Sequence, residues 1–158
     1  MIKTIHADSL PYAPTLSAAA EYISIVASYP GRIRRIHLAN HRVETVLVLP
    51  ESITNIQGLE VMPSNHDQFL LTFTGPQGSG IALFEGKHLL AHNKSAFYAN
   101  NQLKIQNDSV FYAYAGQQQE LTRGIIRGDS IFLRDTFPAW SATNLGYTYS
   151  LLGDTLLS

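Results

Sequence analysis

At 158 residues, 45% hydrophobic and 15% charged, with eight Tyr and seven Phe, the chain can bury about 70% of its unfolded surface as one compact domain. Eleven Lys and Arg against twelve Asp and Glu leave a formal charge of -1, without the cationic excess that nucleic-acid binding requires, so no nucleic-acid partner is expected. Cysteine is absent, which excludes disulfide staples and thiolate metal sites.

Met1 to Asp8 holds no apolar stretch of signal-peptide length, and no run reaches the roughly 18 apolar residues of a membrane span. With Met1 as the native start, the protein is expected to be cytoplasmic or to leave by a route needing no such signal. Ile2 to His6 reads as a strand, followed by Ser9-Leu10-Pro11-Tyr12, and belongs to no complete unit. Thr15 to Ser28 places Leu16, Ala20, Ile23 and Ala27 at helical spacing. Ile23, Ile25 and Val26 are β-branched, however, which predicts a strand from Tyr22 onward with irregular or briefly helical chain before it.

Tyr22 to Ser28, Ile33 to Leu38 and Val43 to Leu49 are predicted strands, broken by turns at Tyr29-Pro30-Gly31 and Asn40-His41. A second unit follows with Leu59 to Met62, Phe69 to Thr74, Gly80 to Phe84 and His88 to His92. A third runs Leu103 to Gln106, Val110 to Ala115, Leu121 to Ile126 and Ser130 to Arg134. Leu145 to Tyr149 and Asp154 to Ser158 begin a fourth.

The second and third units are near-copies. Asp67 to Gly75 and Asp108 to Gly116 both read as an aspartate, a small or polar residue, then an apolar strand closed by glycine, at an offset of 41; Gly86 maps on Gly128 at 42. A period of about 41–44 residues made of short strands resembles the blades of β-propellers of the WD40, kelch and related repeat families. Neither a Trp-Asp dipeptide nor a kelch-type Gly-Gly pair is present, so the resemblance is to the architecture and to no particular family. It implies an all-β, propeller-like chain of about four antiparallel four-stranded units in a single domain over residues 1–158; a β-sandwich or barrel is the alternative. The fourth unit is expected to be completed by Ile2 to about Tyr12, from the same chain or from a second one. Self-association follows as an expectation, with one chain giving a four-bladed ring and two chains an eight-bladed one.

In such a ring the connections Asp8 to Ser17, Pro50 to Gln57, Asn93 to Asn101 and Asp135 to Asn144 gather at one end of the central channel. Tyr12, Phe97, Tyr98 and Trp140 lie in them and are the candidate ligand-binding residues, since aromatic faces at a concave mouth stack on sugars, flat ligands or cations. The same aromatics can instead wedge neighbouring blades together. Arg32, Arg34 and Arg35 form the one basic cluster: a solvated edge strand explains them, and the sharper reading is a docking patch for an acidic protein partner.

Catalytic patterns are weak. His88 and His92 lie about 13 Å apart on a strand, too far to share an ion; His37 with His41 and His66 with Asp67 lack a third ligand. Ser79 sits in a hairpin without the spacing of a nucleophile elbow, and no Lys-Ser or Lys-Thr follows its glycines to make a phosphate loop. No metal or cofactor is expected. The reading is a non-enzymatic binding or assembly module presenting a rigid β surface to a protein partner. The alternatives are a lectin-like glycan binder using the aromatic loops and a hydrolase with channel carboxylates drawn from Glu60, Asp108 and Asp154.

Overall fold

The structure is a computed structural model that describes residues 11–16, 21–28, 31–53, 55–76, 78–94, 102–115, 120–138, 150–152 and 155–157. Three four-stranded antiparallel sheets follow one another, each with its strands in chain order. Sheet 1 contains β1 (Pro11–Leu16), β2 (Tyr22–Ser28), β3 (Gly31–His37) and β4 (Val43–Val48). Sheet 2 contains β5 (Asn55–Val61), β6 (Gln68–Gly75), β7 (Gly78–Glu85) and β8 (His88–Asn93). Sheet 3 contains β9 (Gln102–Asn107), β10 (Val110–Ala115), β11 (Glu120–Arg127) and β12 (Ser130–Pro138). A two-stranded hairpin, β13 (Ser150–Leu152) with β14 (Thr155–Leu157), comes last. No helix among the described residues is long and apolar enough to cross a membrane.

The turns have the chemistry that the repeat implies. Gly86 and Gly128 open the two-residue loops that close β7–β8 and β11–β12, with φ of 54° and 57°. A side chain at either would sit in the left-handed region, which costs a non-glycine residue about 1–2 kcal/mol.

Sheet 2 is covered on both faces. Along β6, Phe69, Leu71 and Phe73 pack with Ile33, Leu47 and Leu49 of the sheet 1 side, whereas Leu70 packs with Leu103, Phe111 and Ile131 of sheet 3. Along β7, Ala82 and Phe84 face sheet 1 while Ile81 and Leu83 face sheet 3. This accounts for the unbroken apolar run Phe69-Leu70-Leu71, since a strand buried on both sides has no polar face to alternate with. Each such Phe or Leu contributes about 1.5–3 kcal/mol when fully buried. The leading strands β1, β5 and β9 neighbour one another from sheet to sheet, and the trailing strands β8 and β12 do so at the far side. The sheets therefore stack face to face, with corresponding strands in corresponding places.

Two expectations about the first unit need correction. Pro11–Leu16 is the leading strand of sheet 1, paired with β2 so that Tyr12 opposes Val26 and Leu16 opposes Ile23. Tyr12 therefore lies in a strand and not in a connection, and it does not belong with a terminal unit. Pro11 and Pro14 are accommodated because β1 is an edge strand and carries an irregularity between Tyr12 and Thr15, which is where proline is tolerated. The helical spacing from Leu16 to Ala27 yields to the β-branched residues, and β2 begins at Tyr22 as expected. Ile2 to His6 and Leu145 to Tyr149, on which the closing of a fourth unit was argued, lie outside the described residues.

Candidate functional site

The three arginines of β3 divide between two faces, because alternate residues of a strand point oppositely except across an irregularity. Ile33 and Arg35 look toward sheet 2; Arg32 and Arg34 look away from it. Nor is β3 an edge: it lies between β2 and β4, so discouraging unwanted pairing at a sheet edge does not explain its charges.

Arg35 is 8% exposed. Its Nη2 donates to Asp67 Oδ1 at 2.9 Å and to the His66 carbonyl, and its Nη1 lies 3.7 Å from Glu44 Oε1. The guanidinium carbon sits 5.1 Å from the centre of the Tyr22 ring and 5.7 Å from that of Phe69, where the ring quadrupoles favour a cation. Around it, the Tyr22 ring meets His37 edge-on at 4.7 Å and His66 at 5.9 Å. Glu44 also takes His37 Nε2 at 3.2 Å and Arg42 Nη2 at 3.4 Å. The cluster satisfies itself: each carboxylate faces a cation or donor from its own or the neighbouring sheet. Arg35 is thus a tie between sheets, its buried guanidinium paired with the partly exposed Glu44 and the mostly exposed Asp67.

Asp108, the counterpart of Asp67, does a similar job one sheet later. Its Oδ1 accepts from the Ser64 backbone N–H at 3.0 Å and its Oδ2 from the Ser64 hydroxyl. The aspartate that marks the sequence repeat is therefore a latch reaching back to the preceding sheet, a role that its place before a strand did not disclose. Glu60, a second candidate acid, accepts from Lys104 Nζ at 2.8 Å between β5 and β9. These two acids are engaged in separate contacts between sheets. Asp154 lies outside the described residues, as do Phe97, Tyr98 and Trp140. No three His, Cys, Asp or Glu among the described residues are grouped to hold a metal ion.

What sheet 1 does offer is its outer face. The ladder sets Arg32 opposite Val48, Arg34 opposite Thr45 and Ile36 opposite Val43. Val48 is 57% exposed and Val43 36%, so Arg32 stands opposite an accessible valine and Arg34 opposite the exposed Thr45, with the Nε of each arginine itself buried. At the other end of the stack, sheet 3 exposes Phe132 with the Arg134 guanidinium 5.6 Å from its ring centre.

No protein-family model matches the chain, and no curated protein does. Solved structures do. Hsv2p of Kluyveromyces lactis superposes with a TM-score of 0.65 at 9% identity, over 85% of this chain and 49% of that one. A second structure, Kluyveromyces lactis Hsv2, gives 0.61 at 10% identity over 85% and 48%. The chain thus spans about half the length of the solved structures it matches. Hsv2 proteins are β-propellers, and at this identity the likeness concerns fold alone: the chain is all-β, built of antiparallel sheets stacked in the propeller manner.

Proposed function

We propose that the chain is a non-enzymatic binding or assembly module, whose working part is the outer face of sheet 1 carrying Arg32 and Arg34. The observation that supports this is the pairing of Arg32 with exposed Val48 on a sheet stiffened from behind by Ile33, Leu47 and Leu49. Arginine is enriched in protein interfaces, and a surface that needs no ordering before contact loses little entropy on binding. Arg32 beside Val48 favours a partner that brings carboxylates. In a propeller each sheet is covered by a neighbour, and the proposed partner would stand against sheet 1 in the same manner.

Photo-crosslinking tests the proposal. Val48 is replaced by p-benzoylphenylalanine in cells, with Asp129, in an exposed hairpin turn, as the control position. A discrete protein adduct from position 48, absent from position 129, is the expected outcome, and its mass separates a second copy from a different partner. Only unmodified monomer from both positions would defeat the reading.

A further inference from the structure

The two gaps between neighbouring sheets differ at their outer ends. Between sheets 2 and 3 the gap is shut: β8 and β12 touch, Asn93 Nδ2 donates to the Ile131 carbonyl at 3.2 Å, and Leu90, Ile131 and Leu133 fill the space. On the sheet 1 side the corresponding place is a half-open cleft of about 140 Å³ between sheet 2 and the connection from β4 to β5, with Ile53, Phe73, Ala82 and Leu89 as apolar walls and His92 and Lys94 as polar lining. The register builds it. Ala82 opposes His92 and Phe84 opposes Leu89, so these side chains share the face that looks at sheet 1.

Size and charge narrow what fits. An apolar cavity of about 150 Å³ admits one benzene-sized group. Leu89, 45% exposed, stands at the rim. Lys87, His88 and His92 run along the hairpin and β8, all exposed, while the carboxylate of this hairpin, Glu85, is turned to Asn65 Nδ2 at 2.9 Å and Gln68 Nε2 at 3.2 Å. Exposed Glu51 lies between the lining residues Pro50 and Ser52, so the basic side of the rim is that of the hairpin and β8, and it is there that carboxylates are favoured. In addition, β8 ends its sheet, so one backbone edge has no strand beside it among the described residues.

We infer that this cavity seats a single aromatic or aliphatic side chain of an acidic, extended segment of a partner protein. The segment runs along the free edge of β8 by strand addition, and its carboxylates meet His88, His92 and Lys87. This rests on the reading of the chain as a protein-binding module, but it assigns a second contact surface on sheet 2 and the chemistry of what occupies it.

The test is a ¹H–¹⁵N NMR titration of the whole chain with three capped peptides: EEFEE, EEAEE and KKFKK. The expected result is saturable shifts from EEFEE at residues 52–53 and 88–93, with a Kd below about 1 mM. EEAEE and KKFKK should bind at least about tenfold more weakly, since one lacks the anchor and the other the charge. Leu89→Glu, at an exposed position, should abolish the EEFEE shifts while leaving the remaining spectrum in place. Equal binding of KKFKK, shifts scattered over the surface, or none from any peptide would overturn the inference. Sedimentation with phosphatidylserine vesicles that is lost in Leu89→Glu, without peptide shifts, would overturn it in favour of a lipid surface. Peptide shifts at Val43 and Val48 alone would overturn this site and leave the module reading standing. Absence of Val48 crosslinks with EEFEE bound at β8 would remove the outer-face proposal and leave this one.

Discussion

Phe111 lies directly opposite Gly124 across β10 and β11, and its ring occupies the space that a Cβ on Gly124 would need. On the matching face of sheet 2 the opposed pair is Leu71 and Ala82. One sheet uses a larger residue with none beside it, the other a smaller residue with a methyl, so the pair's combined volume is kept while its division changes.

Gly124→Ala is accordingly expected to destabilise the fold by about 1–3 kcal/mol through overpacking. Phe111→Leu alone should cost about 1 kcal/mol or more by opening a cavity. The double variant recreates the sheet 2 pair and should be more stable than the sum of the single losses implies. Urea unfolding of the four proteins gives the coupling; strict additivity would show that the ring and the glycine do not depend on each other.

Asp108→Ala should release Ser64. The loss of a backbone and a hydroxyl hydrogen bond at an exposed site predicts a cost of about 1 kcal/mol. Faster amide hydrogen exchange at Ser64 is the local readout, and an unchanged Ser64 rate would show that the latch is not formed in solution.

Replacing Arg35 by Ala removes a cation held by Asp67, Glu44 and the His66 carbonyl and packed on Tyr22 and Phe69. The expected cost is about 2–3 kcal/mol, because carboxylates and a carbonyl lose their shared donor. Asp67→Asn should cost less, about 0.5–1 kcal/mol, since Asp67 is mostly exposed and its charge is screened by solvent. Thermal melts rank the two; equal losses would mean that Arg35 acts through Asp67 alone.

Gly86→Ala and Gly128→Ala should each destabilise by about 1–2 kcal/mol, with Gly128→Asn milder because asparagine tolerates positive φ. Comparable melting for the alanine and asparagine variants would mean that the loop has another conformation.

Turns and strand type were legible because both are local. Glycine and asparagine at loop positions and apolar runs bounded by them located every strand of sheets 2 and 3 to within a few residues. Facing was less so. Counting from the two aspartates sets Phe111 on Leu70, yet Phe111 faces back to sheet 2 as Leu71 faces back to sheet 1; a shift of one residue reverses every face of a strand. The aspartates betray this only in the structure, where Asp67 directly precedes β6 and Asp108 stands one residue further from β10. Partners between sheets were not legible at all, since nothing adjacent to Arg35 in the chain indicates that it will meet Asp67. The same holds for the cleft beside Leu89, which forms between sheet 2 and the connection from β4 to β5 and leaves no signature in either segment alone.

Sheet 2 is the shared wall of both apolar clusters, and this gives the stack the logic of a line of dominoes. A lesion in sheet 1 or sheet 3 weakens one boundary; a lesion at Phe69, Leu70, Ile81 or Leu83 strikes the layer through which the outer sheets support each other. Nearest-neighbour coupling of this kind makes the middle layer the arbiter of cooperativity. The backbone amides of β6 and β7, sealed from water on both sides, are then the last to open, and once they do the two ends of the stack lose their knowledge of one another.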